Sequence, residues 1–251
     1  VEFNHITSPR LHDSLTVFGI AILFAAPYLS SSPARYLIAD LAIVTIVAWR
    51  FRTDTIRRIG LSIPLRHGCA AVISFGLLFL LAQAFVEQIA IETHGWRPAF
   101  SLSQVFHQEI VLRGLLLGAL IRWRYSSAVL VAILFASLHP LFYWWAFDLL
   151  LPPTSVATLF VFGLATNLLF VRTGHIAFSF AVHAAWNLAR FHAEYMVRGQ
   201  YLSEAQTFAI YEGSGYALGA AVALLLYGMF LAPGINHRNE HVFSYPSRSR
   251  T

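Results

Sequence analysis

The sequence predicts an all-α fold, a polytopic membrane bundle of about eight transmembrane helices. Three observations carry that expectation. The chain has 251 residues, of which 57% are hydrophobic and only 12% charged, a balance outside that of ordinary soluble domains. Its apolar residues gather in blocks of roughly 17 or more, each able to cross a hydrocarbon core of about 30 Å at 1.5 Å per residue. The blocks also lack the short alternation of barrel strands, so helices must satisfy the backbone polar groups in lipid.

The expected spans are 14–32, 34–49, 69–91, 99–121, 127–147, 154–171, 175–191 and 213–232. The apolar part of the first, Ser14 to Leu29, follows Arg10 and precedes Ser30, Ser31 and Ser32. A cleaved signal peptide shares these features, but the seven blocks that follow make a retained helix the simpler account. The third span opens at Cys69, the one cysteine. An intrachain disulfide is therefore excluded, and the apolar setting assigns this thiol to core packing. Gly114 with Gly118 in the fourth span, and Gly215 with Gly219 in the eighth, have the spacing that lets helix backbones approach closely. Between the seventh and eighth spans, His192 to Glu212, Ser203 and Gln206 stand three apart. That spacing suits a capping box opening a short surface helix, which is either a lid over a site or an ordinary interfacial loop. With no internal repeat and no linker, the expectation is one integral membrane domain over 1–251, with a polar layer within 104–191 and a cytoplasmic tail over 233–251.

The net charge of +5 comes from a basic set that is entirely arginine, and most of these residues lie just outside the apolar blocks. Such a distribution orients a membrane protein and gives no reason to expect nucleic acid. With the N-terminus inside, twelve arginines fall on the cytoplasmic side and four, Arg35, Arg97, Arg190 and Arg198, on the other. Both termini are therefore expected in the cytoplasm, in a bacterial plasma (inner) membrane.

Arg113 belongs to neither side. The fourth span contains His107-Gln108-Glu109-Ile110-Val111-Leu112-Arg113-Gly114, and Glu109 and Arg113, four apart, share a helix face. A charge at a helix centre costs about 2.5–3.5 kcal/mol on insertion scales, so it is expected to face protein or water. His139 on the fifth span, and His183 with Asn187 on the seventh, add polar groups. Counted from the outer span ends, Glu109, His139 and His183 all lie roughly 12–15 Å deep. Asn167 on the sixth comes out at roughly 20 Å and is assigned to helix packing. Singly, each of these residues suits interhelical hydrogen bonding, and Glu109 with Arg113 suits a structural ion pair. Together, from three helices at one depth, they describe a site.

A carboxylate beside an imidazole can take a proton from water, while a second histidine and an asparagine can donate to an oxyanion. That set suits peptide hydrolysis without a serine or cysteine nucleophile. Zinc held by the glutamate and two histidines is the competing chemistry, although no HExxH helix is present. A metal-free site without a cofactor is the expectation, with zinc left open. A transporter or proton pathway would also place such groups at mid-membrane, but it calls for polar residues continuing to both faces or for repeated halves, and neither is found.

The three segments, Gln108-Glu109-xxx-Arg113, Phe135-xxx-His139 and His183-xxx-Asn187, resemble the CPBP (Abi) family of intramembrane proteases, which includes the type II CAAX prenyl endopeptidases. That family carries Glu-Glu-xxx-Arg, Phe-xxx-His and His-xxx-Asn segments in this order on separate helices. The resemblance implies a glutamate-dependent intramembrane endopeptidase. A Glu, usually the first of the pair, and the first His would activate water; Gln108 stands at the first Glu, Glu109 at the second and His139 at the first His. His183 and Asn187 would stabilise the oxyanion, and Arg113 would hold the acidic segment. The implied partners are a membrane-anchored protein or peptide substrate, cut during maturation or sorting, and the lipid bilayer. Two positions depart from the pattern. Gln108 replaces the first Glu, and an amide is no general base at neutral pH. Tyr143 stands four after His139, where many relatives carry Asn, and its phenol still donates a hydrogen bond. Two readings follow from Gln108: Glu109 supplies the base, or the chain is a catalytically inactive membrane scaffold or immunity factor.

Overall fold

A computed structural model describes residues 38–39, 41–42, 45, 60–87, 97–118, 120, 125–147, 150–191, 196–197, 200–201 and 213–231. The chain divides into two compact units, Val1–Thr55 and Ile56–Thr251. In the first unit the few described positions are helical, and Thr45 Oγ1 donates back to Leu41 O at 2.7 Å. The first expected span, the capping box at Ser203 and Gln206 and the tail over 233–251 lie outside the described residues.

The second unit is helical. Helix α1 is Leu65–Glu87. Helix α2, Arg97–Gln108, runs directly into a π-helical segment, Glu109–Leu117. Then come α3, Tyr125–Phe147, α4, Pro153–Thr173, and α5, Ala177–Phe191. Two strands of two residues, β1 at Met196–Val197 and β2 at Gln200–Tyr201, pair antiparallel before α6, Gly213–Leu231. These helices occupy the third to eighth expected spans. Among the described residues, Leu65–Ala82 and Pro153–Thr173 are long and apolar enough to cross a membrane, while Tyr125–Leu141 and Tyr216–Met229 are shorter apolar helices. The count of eight rests on the sequence alone.

Local signals explain the α4 boundaries. Pro152 is extended and Pro153 occupies the first turn, where a missing N–H costs nothing. Gly174 ends the helix in the left-handed region at φ 76°, and its N–H donates to Phe170 O at 2.8 Å. Gly60, at φ 71°, brings the segment before α1 onto this corner. Ile176 N donates to Gly60 O at 3.0 Å, and a Cβ at Gly60 would sit 2.9 Å from the Phe170 ring. In the same place His67 Nδ1 and His175 Nε2 are hydrogen-bonded at 2.8 Å, stitching α1 to the turn between α4 and α5. Burial, reinforced by the neighbouring His67, pushes His175 down to about 4.

Helix α4 packs between α3 and α6, and α5 packs on α1 and α2 and also meets α6 and α4. A Cβ at Gly219 would fall 2.8 Å from the Phe162 ring, so α6 and α4 meet at a distance only glycine allows. Asn167 Nδ2 donates to Ala128 O at 2.9 Å and ties α4 to α3. One sequence expectation is corrected: Cys69 is exposed, not part of the core. It heads a stripe on α1 that continues outward through Val72, Ile73, Leu77 and Leu80, a spacing of three and four that lines one helix face.

The distribution of polarity is that of a membrane solute. Leu80 is 64% exposed and Val72 70%, while Glu109 and Arg113 are fully buried. A water-soluble fold would bury such a stripe, whereas lipid accepts it and rejects the ion pair.

Candidate active site

The site begins where α2 becomes the π-helical segment. Such widened turns are rare and concentrate at functional sites. Gly118 N–H donates to Arg113 O, five residues back, and ordinary helical bonding returns with Leu120 N to Leu116 O at 3.1 Å. Glu109 and Arg113 still meet across this turn. Arg113 Nη1 donates to Glu109 Oε1 at 2.6 Å, and both side chains are fully buried. Two opposite charges withdrawn from water stabilise the fold only if their remaining hydrogen-bonding groups are served. Here Arg113 Nη2 donates to Thr166 Oγ1 at 2.7 Å, and that hydroxyl donates onward to Phe162 O at 2.8 Å. The guanidinium also lies 5.0 Å from the centroid of the Phe135 ring, where the ring face favours a cation.

The same carboxylate oxygen accepts a second bond. His183 Nδ1 lies 2.9 Å from Glu109 Oε1. An ionised carboxylate only accepts, so the proton of this bond sits on Nδ1. His183 Nε2 is buried with no hydrogen-bond partner from the described chain. His139, half-buried on α3, has Nδ1 2.8 Å from Phe135 O. The backbone carbonyl again requires the proton on Nδ1.

Aromatic rings enclose both imidazoles. Phe135 lies 4.4 Å from His139 and 6.0 Å from His183, centroid to centroid, and Phe162 lies 5.3 Å from His183. Tyr216, on α6, stands 6.3 Å from each histidine and 5.0 Å from Phe162. Four helices thus meet the π-helical segment at one place, and apolar ring faces surround its polar groups.

The structure brings Glu109, Arg113 and His183 into direct contact and sets His139 beside them across Phe135 and Tyr216. The carboxylate contacts His183, not His139, the histidine it would work with if Glu109 supplied the base in place of Gln108. Gln108 is buried at the junction of α2 and the π-helical segment. Asn187 is buried one turn beyond His183 on α5, and its Oδ1 meets no donor from the described chain. Tyr143 is half-buried on α3. Sequence reasoning misses Thr166 and Tyr216. A threonine inside an apolar helix is ordinarily read as bonding back to its own turn, as Thr166 does. Tyr216 lies outside the three motifs, so only the closeness of α6 to α4 reveals it. Among the described residues, no three His, Cys, Asp or Glu side chains gather as a metal-binding group.

Fold and site together define a helical membrane protein with a buried carboxylate, guanidinium and imidazole in one hydrogen-bonded chain. Residues 69–189 match the family model described as Type II CAAX prenyl endopeptidase Rce1-like, the family to which the three motifs point. Over this stretch, within α1 to α5, the chain is similar to that family, a family of membrane proteases. No curated protein and no solved structure matches the chain.

Proposed function

We propose that the chain is a glutamate-dependent intramembrane endopeptidase that cuts a membrane-anchored protein or peptide during maturation or sorting, in a bacterial plasma membrane with both termini cytoplasmic. The observation that carries this reading is the bond from His183 Nδ1 to Glu109 Oε1 at 2.9 Å, inside an aromatic enclosure. A buried imidazole held by a carboxylate is a means of moving a proton. Glu109, His139, His183 and Asn187 form the reacting set, Arg113 holds Glu109 in place, and Gln108 lines the site. The chemistry proposed is metal-free, because Arg113 at 2.6 Å already neutralises the carboxylate that a cation would need.

The test is purified chain in proteoliposomes, incubated with a library of lipid-anchored and single-span peptides that includes a prenylated CAAX peptide, with products read by mass spectrometry. Cleavage by the wild type and none by Glu109→Gln is the expected result. One observation favours a second reading, a non-catalytic scaffold or immunity factor: Gln108 stands where the family carries its first Glu. Cleavage that appears only in Gln108→Glu would establish that reading instead.

A further inference from the structure

We infer that His183, rather than Glu109, takes the proton from water, and that Glu109 acts as the carboxylate that orients it. This deepens the protease reading and rests on it. The resemblance implies another division, with the base at the first Glu, which is Gln108 here, and His183 donating to the oxyanion.

Hydrogen-bond polarity decides between the two. Glu109 Oε1 already accepts Arg113 Nη1 at 2.6 Å and His183 Nδ1 at 2.9 Å. A carboxylate carrying two charge-assisted bonds is a poor proton acceptor, since protonation would forfeit both. The Nδ1 proton of His183 is committed to Glu109, so the neutral ring has its lone pair at Nε2 and no N–H left for an oxyanion. Nε2 is buried and has no hydrogen-bond partner among the described residues. The arrangement is the one by which a buried carboxylate holds a histidine in the accepting tautomer and stabilises the imidazolium that forms. Thr166 and Arg113 continue the chain behind Glu109 and fix its position. His139 also has its Nδ1 proton committed, to the Phe135 carbonyl.

In the reaction, water adds its oxygen to the scissile carbonyl carbon while His183 Nε2 takes one water proton. The carbonyl oxygen carries the resulting negative charge. The imidazolium then gives its proton to the amide nitrogen as the C–N bond breaks. The products are a carboxylic acid and an amine, and His183 returns to its starting tautomer.

Two measurements test this. In protein labelled with 15N-histidine and reconstituted in lipid at neutral pH, the His183 signal is identified by its loss in His183→Gln. The expected spectrum has a protonated Nδ1 and a bare Nε2, and a protonated Nε2 would overturn the assignment whether or not the protein cleaves anything. In the proteoliposome assay, glutamine keeps an N–H donor and loses the base. His183→Gln is expected to lower the rate by about 10²–10⁴-fold, the usual contribution of a general base, and His139→Gln by about tenfold or less. The reverse order among cleaving variants sinks the base assignment and leaves the protease reading standing. A wild type that cleaves no member of the library sinks the protease reading, and the base with it.

Discussion

At the scale of single residues, the site depends on one buried ion pair and the groups that hold it. Glu109→Ala strips Arg113 of its counter-charge while leaving it buried, which costs about 3–5 kcal/mol. That variant is expected to accumulate poorly, whereas Glu109→Gln, which loses the charge but keeps an acceptor for Arg113, should accumulate better than Glu109→Ala and show no cleavage. Immunoblots beside the cleavage assay separate the two effects, and normal activity in Glu109→Gln would remove Glu109 from the machinery. Thr166 supports the same pair from α4. Thr166→Val takes away the acceptor of Arg113 Nη2, and a lost hydrogen bond to a charged group costs about 1.5–3 kcal/mol. Thermal unfolding in detergent should show that loss for Thr166→Val and little of it for Thr166→Ser, which retains the hydroxyl. Equal midpoints for the two variants would mean that the bond to Thr166 contributes nothing.

At the scale of helices, the site exists because α4, α5 and α6 approach closely and because the segment after α2 widens. Gly219 sets one of these approaches, since its Cβ would meet Phe162 at 2.8 Å. Gly219→Ala is expected to cost about 1–3 kcal/mol by overpacking. It should lower activity further by displacing Tyr216, three residues earlier on the same helix. Gly76, on the outer side of α1, has open space around it. Gly76→Ala is the matched control and should leave stability unchanged or raise it by up to about 1 kcal/mol through helix propensity. A drop in both variants would point to backbone effects rather than to the contact of α6 with α4. Helix α3 contributes differently: Pro140 follows His139 and interrupts the helical bonding there.

At the scale of the whole molecule, the second unit is closed at one corner by the bond between His67 and His175. With His175 pushed down to about 4, the unfolded chain binds more protons than the folded one between that value and the ordinary value near 6.5. Stability therefore rises with pH across this window and is lost as pH falls from about 6.5 to about 4. The melting temperature in detergent is expected to fall over that range, and to fall less steeply in His175→Gln. Parallel pH profiles for the two proteins would show that this histidine does not contribute to acid sensitivity.

Much of this architecture is legible in the amino-acid sequence, because membrane insertion is governed by short-range sequence statistics. The apolar blocks locate α1, α3, α4, α5 and α6 to within a few residues, since any backbone crossing lipid must bond to itself. The motifs also contain Glu109, Arg113, His139, His183 and Asn187, because ionisable groups stand out against so apolar a chain. The sequence does not foretell that Glu109 turns to His183 rather than His139. Nor does it foretell that Thr166 holds Arg113, that Tyr216 faces both imidazoles, or that Cys69 faces outward. Each of these depends on the rotation and approach of one helix against another. Helix rotation is decided by packing at positions such as Gly219 and Gly163, where contacts from distant parts of the chain converge. The sequence by itself determined which residues must avoid lipid, and the tertiary structure alone decided which of them meet.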